Sequence, residues 1–459
     1  MLIALPCDIR TMTRFLSRMR ERVGIWAMVW LAGLAVGRAQ PATNLPASAA
    51  AGRAGIEHLT LDGAQRMALE RNWDLLGAAA GVDAATAQKI IAHEFPNPTL
   101  SLSSTLINVD NVPNSTPAGN GLWDRSYDTT FAVNQLLEIG GKRRRRQESA
   151  QAGFESAKAQ FLDARRTLDL GVAKAYIAAA QAEESARVLM QSANTLRQEA
   201  ALAEVRFKAG EISSSDKSQI EIGAERFELD ARAAEAGAAQ ARVALEVLLG
   251  VPRPGTNCVL AERLETLAGS TELGNTNSAG TWRPDVVAAQ TAWRKTEADL
   301  RLQKAYRVPD PTVLAQYEHE PPEAMNSTGF GVSLPLPLWN RNRGNILSAQ
   351  AACEQARLAF EKAQAQAVAE IATALLAYDD ALRRWTQYRQ SIRPKSEQVR
   401  KTKSYAYERG GASLLDMLVA ERDDNDVRLA ASQSAGDTAL AIATLKAATM
   451  EIQPSQVMK

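Results

Sequence analysis

The densest ionic chemistry in this chain of 459 residues is Lys142, Arg143, Arg144, Arg145 and Arg146, five cations in succession after Gly140 and Gly141. A run of this kind attracts polyanions, either nucleic acid or a layer of phosphate head groups, and its bland alternative is a solvated helix face. Nucleic acid fits poorly: Lys+Arg 53 stands against Asp+Glu 52, a formal net charge of +1, whereas a nucleic-acid domain is strongly basic. Asp416 is the next candidate, three residues after Ser413 in the S-x-x-D spacing of a capping box. Metal and nucleophile chemistry find little support. His58, His93 and His319 are widely separated, and there is no phosphate loop, dinucleotide fingerprint or nucleophile elbow. The reading is of no enzyme, no metal site and no cofactor.

Several elements must position these residues. Arg14, Arg18, Arg20 and Arg22 precede an apolar stretch from Val23 to Val36, and Gly37-Arg38-Ala39 offers a small-x-small cleavage site. Residues 1–39 therefore read as a secretory signal, of ordinary length if translation starts at Met12, with a linker over 40–58. About 14 apolar residues are too few to span a bilayer. In an oxidising compartment Cys258 and Cys353 are free to pair, while Cys7 leaves with the signal.

The main signal is an internal repeat offset by about 200 residues. "FPNPTLSLSSTL" (95–106) answers "VPDPTVLAQYEH" (308–319), "FAVNQLLEIGGKR" (131–143) answers "FGVSLPLPLWNRNR" (330–343), and "KAGEISSSD" (208–216) answers "RGGASLLD" (409–416). The first repeat covers 59–249 and the second 283–450. A linker rich in Gly, Pro, Asn and Ser over 250–282 separates them, and 451–459 form a tail. Each half reads as helix, strand, polar loop, strand, very long helix, tight turn, helix.

Strands are expected at about 98–109, 128–139, 311–319 and 328–338. The last is clearest: Phe330, Val332, Leu334, Leu336 and Leu338 alternate with Gly331, Ser333, Pro335 and Pro337, which fits a transmembrane strand with one lipid-facing stripe, the bland alternative being a half-buried hairpin in a soluble domain. Its two prolines loosen pairing towards Leu338. Four strands cannot close a barrel, for which about eight are needed, and an open sheet has unsatisfied edges in lipid. If these strands lie in a membrane, several copies must share one barrel.

The helices from Gly141 to Gly210 and from Arg341 to Gly410 each run for roughly 69 residues, about 100 Å at the α-helical rise, with a kink or local unwinding expected at Pro394. Gly210 with Ser213 and Asp216, and Gly410 or Gly411 with Ser413 and Asp416, build the two hairpin tips near 210–213 and 410–413. Cations at a helix N-terminus oppose the macrodipole, so the basic run needs compensation, which phosphate head groups would supply. Trp339, Asn340, Arg341 and Arg343 stand at the corresponding place in the second repeat, Trp339 being an apt interfacial aromatic. Gly140 and Gly141 permit the switch from strand to helix.

Together, "NPTLSLSS", the Gln135-to-Arg146 junction, "RPDVVAA" (283–289), "PDPTV" (309–313), "GVSLPLPLWNRNRGNI" (331–346) and "YERGGASLLDMLVAERD" (407–423) resemble the TolC-type outer-membrane factors. The likeness is greatest to their CzcC-like cation-efflux branch and covers nearly all of the chain after the signal. Trp339 and Arg343 depart modestly from the pattern. The resemblance implies an α+β membrane protein. Four strands per chain would enter a twelve-stranded barrel of a homotrimer in the outer membrane, continued by a periplasmic α-helical barrel. It implies a passive conduit in a tripartite efflux system, with a periplasmic adaptor and an inner-membrane RND-type pump as partners, outer-membrane lipid around the strands, and no nucleic acid. It also implies an acidic constriction at the hairpin tips, where Asp416 stands, with Val419 where relatives can carry a second acid. Asp416 can equally be a cap only, and both roles can hold at once. Multidrug efflux and type I secretion use the same fold. A soluble periplasmic coiled-coil adaptor with a small β-domain is the competing class, and it would have to bury the 330–338 stripe within one chain.

Overall fold

The computed structural model describes residues 58–105, 128–255, 258–270, 280–320 and 325–451. The signal segment, nearly all of the 40–58 linker and most of the tail lie outside these residues.

Two helices open the described chain, α1 (Leu61–Arg71) and α2 (Trp73–His93). Asn72 divides them: its backbone turns extended, while its side-chain oxygen accepts from the Asp74 and Leu75 N–H groups and its amide donates to the Leu248 carbonyl. Four strands follow in two pairs, β1 (Thr99–Thr105) with β2 (Asp128–Leu136) and β3 (Thr312–Glu320) with β4 (Met325–Ser333). They form one antiparallel sheet in the order β1-β2-β3-β4, leaving β1 and β4 as its edges. All four strands are shorter than expected at their helix-proximal ends, β3 by one residue at Thr312. β4 stops at Ser333 rather than 338, because Pro335 and Pro337 have no N–H to donate to a ladder. β2 stops at Leu136 rather than 139, since the Ile139 N–H turns aside to Asp310 Oδ1. β1 begins at Thr99, after Pro98, and its expected end at 106–109 lies outside the described residues.

The long helices are α3 (Lys142–Lys208, 67 residues), α4 (Ser214–Leu248), α6 (Pro284–Ala305), α7 (Arg343–Gln387), α8 (Arg393–Glu408) and α9 (Leu414–Ala448), with a short α5 (Leu264–Ala268) between the repeats. The buried seam of α3 carries small residues at seven-residue intervals, Ala179, Ala186 and Ala193 among them, which lets the helices approach closely. α9 answers with Ser432, Ser434, Ala435, Gly436, Thr438 and Ala439. A Cβ on Gly436 would overlap the Gln181 side chain. Between α7 and α8, Tyr388–Ile392 form one π turn in which the Arg393 N–H reaches back to the Tyr388 carbonyl. Pro394 explains it, because it cannot donate to Gln390 and its ring crowds the preceding turn.

The main core lies where the repeats meet. Leu59, Val172, Tyr176, Leu245, Leu249, Cys258, Leu264, Trp385, Ala435 and Ala439 pack together there. The segment between the repeats, read from sequence as a linker, is partly core: Leu264, Leu267 and Ala268 are buried, and Leu59 pairs with Val259 and Ala261 through backbone bonds. Tyr176 donates its hydroxyl to the Leu59 carbonyl at 2.8 Å, and burial pushes its pKa up to about 12. Cys258 sits free in this core and Cys353 is free on α7, so the disulfide allowed by the sequence is absent.

Candidate functional site: the sheet faces, the junction and the hairpin tips

Pairing register determines which side chains share a face, because alternate residues of a strand point to opposite sides. Leu100 stands opposite Val133, Leu102 opposite Phe131, Phe131 opposite Tyr317, Ala315 opposite Phe330 and Val313 opposite Val332. One face is thus apolar across all four strands, and it is uncovered: Leu100 is 75 % and Phe330 87 % exposed. The other face carries Ser101, Ser103, Thr130, Asn134, Gln316, Glu318 and Ser327, with Gly329 and Gly331. Of the stripe expected in the second repeat, Phe330 and Val332 lie on β4. Leu334, Leu336 and Leu338 are exposed beyond its end. At the end of the sheet remote from the helices, the carboxylates of Asp128, Glu318 and Glu320 come within 4.8 Å of one another. Three acids on two strands this far apart in sequence converge only through the β2–β3 register, which the sequence could not supply.

At the junction, Gly140 and Gly141 adopt left-handed backbone (φ 72 and 73), and Asn342 takes the same conformation (φ 58) in the second repeat. A Cβ on Gly140 would crowd Val308. The basic run is compensated mainly from within the chain, which corrects the expectation that head groups must supply the balance. Lys142 is 3 % exposed and meets Asp310 at 2.7 Å, beside the Tyr306 ring. Arg146 is paired with Glu138 and donates to the Ala92 and Glu94 carbonyls. Arg143 donates to the His93 carbonyl and lies 3.9 Å over the Phe95 ring. Arg144 and Arg145 both hold Glu148, whose pKa is lowered chiefly by the Arg145 hydrogen bond. Outward charge remains at Arg144, and in the second repeat at Arg341 and Arg343 beside Trp339, which is 93 % exposed. Asn340 accepts from the Asn342 N–H and so shapes this second corner.

The two tips share one backbone design. Gly210 (φ 76) and Gly410 (φ 71) take the left-handed position that ends each outgoing helix, while Glu211 and Gly411 return their N–H groups to Arg206 and Ala406. Ser213 and Ser413 then cap α4 and α9. The carboxylates differ. Asp416 closes a full capping box, accepting from the Ser413 N–H and hydroxyl, and has Lys403 Nζ at 3.5 Å. Its pKa is held below the ordinary aspartate value, first by the Ser413 hydroxyl. Asp216 offers only its N–H to Ser213, so the expected box at the first tip is half made. Above the second tip lies a buried network that sequence reasoning missed. Asp424, 2 % exposed, accepts a hydrogen bond from the Ser396 hydroxyl and forms ion pairs with Arg400 and Arg428, and Glu421 also pairs with Arg400. The acid-rich "ERDDND" (421–426) on a helix facing Arg400 was the available signal.

With two-faced strands and paired helical hairpins in place, comparison with known proteins decides the family. The outer membrane efflux protein family model matches residues 65–251 and 277–449, well over half of the chain. The chain belongs to the outer membrane efflux protein family. The cobalt-zinc-cadmium resistance protein CzcC of Cupriavidus metallidurans is similar, 27 % identical over 373 residues, covering 79 % of this chain and 83 % of that protein. The nickel and cobalt resistance protein CnrC of the same organism is 27 % identical over 311 residues, 65 % of this chain and 70 % of its own length. Among solved structures, the CmeC outer membrane channel of Campylobacter jejuni shares the fold, with a TM-score of 0.71, 17 % identity and 85 % of each chain covered.

This outer membrane efflux protein is a channel rather than an enzyme, located in the outer membrane with a periplasmic helical extension. Its four strands are one chain's share of a barrel closed by its copies, and channels of this family work as trimers within tripartite efflux systems. No helix among the described residues is long and apolar enough to cross a membrane. Family membership sets aside the soluble-adaptor alternative.

Proposed function

We propose that the channel exports heavy-metal cations delivered by a periplasmic adaptor and an inner-membrane RND-type pump. The observation that carries the conduit reading is the division of the sheet, with apolar side chains across one face and polar ones across the other. A stripe holding Phe330 and Val332 belongs against lipid, and the face holding Gln316 and Glu318 belongs against a water-filled lumen. The cation assignment is supported by CzcC and CnrC, whose names record resistance to cobalt, zinc, cadmium and nickel. A conduit should not bind its cargo tightly, so a shortage of His and Cys is compatible with metal export.

The tips at Gly210, Ser213, Asp216, Gly410, Gly411 and Ser413 are the contact for the adaptor or pump. Trp339, Asn340, Arg341, Arg343 and Arg144 sit at the membrane–periplasm boundary, where exposed cations and an exposed indole suit a phosphate layer. Asp416 forms the constriction: three copies about a threefold axis concentrate negative charge and favour cations. Its cap and its gate are compatible, because the cap uses Ser413 and leaves the carboxylate half-exposed.

Reversal potentials in planar bilayers under a cobalt chloride gradient test this reading. Cation preference that falls in Asp416→Asn, a change that can keep the cap, supports it. Equal permeability to cation and anion in both proteins would point to another cargo class.

A further inference from the structure

Just inside the π turn lies a cavity of about 160 Å³ bounded by α3, α5, α9 and the α7–α8 connection. Four arginines line it, Arg187 from α3, Arg389 from the π turn, Arg393 from the start of α8 and Arg428 from α9. The function described above uses none of them. Arg187 is paired with Glu184, Arg393 with Glu265 at 2.9 Å, and Arg428 with Asp424 at 3.4 Å and the Gln191 side-chain oxygen. Among the described residues Arg389 meets no carboxylate; its guanidinium lies 5.2 Å from the Trp385 ring centre. Four cations thus face three carboxylates. Each guanidinium has five N–H donors, so most donors here have no protein partner and are open to solvent or to a guest. Ser432 also lines the cavity, is 7 % exposed, and has a hydroxyl without a hydrogen-bond partner. A buried hydroxyl without a protein partner costs stability unless something in the cavity bonds to it.

We propose that this cavity binds a small multivalent oxyanion, of the size and charge of phosphate. Guanidinium forks match such an anion bidentately, and their weak hydration makes them suited to enclosed anions. The anion bridges Arg389 and Arg393, on and after the π turn, to Arg428 on α9 and Arg187 on α3. It thereby fastens the second hairpin to the first at the point where the helix is irregular. The site is independent of the cargo and of Asp416.

The test is calorimetric titration of the purified, detergent-solubilised full-length protein with inorganic phosphate, at ionic strength held constant with chloride. A saturable isotherm is expected, weakened at least about ten-fold in Arg389→Ala, the fold-change of one lost charge-assisted hydrogen bond. Arg389 has no ion pair to break, so this variant should fold normally. Arg393→Gln provides a second weakened case. Arg383→Ala removes an exposed cation that does not line the cavity and should bind as the parent does. No saturable heat, parent-like affinity in Arg389→Ala, or equal weakening in Arg383→Ala would each overturn the proposal, the last by reducing it to general charge attraction.

Discussion

Removing the Asp310 carboxylate should loosen the strand-to-helix junction by an amount the structure allows to be worked out. Lys142 is 3 % exposed and meets Asp310 at 2.7 Å, while the other carboxylate oxygen accepts the Ile139 N–H at 2.9 Å. Asp310→Ala leaves an ammonium buried without its counter-charge and an amide without its acceptor. Breaking a buried pair from one side costs about 3–5 kcal/mol, and the lost amide bond adds about 1 kcal/mol. The Asp310 side chain is still 18 % exposed, so water screens the pair to about 2 kcal/mol, which with the amide makes about 3 kcal/mol in all. Lys142→Met removes the charge but keeps the apolar stem against Tyr306. Lys142→Met alone should cost little, because Asp310 stays part-exposed and keeps the Ile139 N–H; combined with Asp310→Ala it should leave only the amide term, a residual of about 1 kcal/mol and a coupling near 2 kcal/mol. Urea denaturation of the detergent-solubilised protein, followed by tryptophan fluorescence, supplies all four corners of the cycle. A coupling below about 0.5 kcal/mol would refute the reasoning, since Lys142 would then be finding water or another partner.

Other consequences can be checked in the same preparation. Leu102→Arg puts a cation on the apolar face at a cost of roughly 2–4 kcal/mol near the bilayer midplane, so outer-membrane fractions should contain much less of it, whereas Ser103→Arg on the opposite face should accumulate normally. Arg400→Ala withdraws the partner that Glu421 and Asp424 share, costing about 3 kcal/mol, and limited proteolysis should cut α8 and α9 near the tip sooner than in the parent. The folded-state pKa of Asp416 is depressed, so its contribution to the second tip is complete above the ordinary aspartate pKa. That contribution is lost as pH falls through the lower folded value; hydrogen-exchange protection at 410–417, relative to the intrinsic rate at each pH, should fall there and stay unchanged at higher pH. Pro394→Ala lets a regular i→i−4 bond form, and amides at 388–396 should exchange more slowly.

Local patterns were legible in the sequence where one short segment contained all the information. Alternation marked the strands, and the Gly and Ser at each tip marked the turns. Pro394 announced a local irregularity, which takes the form of a π turn, because a missing N–H and a bulky ring act on the immediately preceding residues. Partners supplied from far along the chain were not legible. Nothing near Lys142 announces Asp310, which reaches it only after β3 is placed, and so the basic run was assigned to head groups when most of it is paired internally. Asp424 is one acid among several in its stretch of sequence, and only the placing of α8 brings Arg400 and Ser396 against it. Strand ends slipped for a related reason: Ile139 fits the β2 pattern, but its N–H is taken by an aspartate 171 residues away.

Recording from protein extracted from outer membranes and placed in a planar bilayer, with its mass measured in the same detergent, tests the central claim most directly. A particle of three chains giving discrete conductance steps is the expected result. A water-soluble single chain without conductance would contradict it, because the uncovered face holding Leu100, Phe131, Phe330 and Val332 would then need a cover other than lipid.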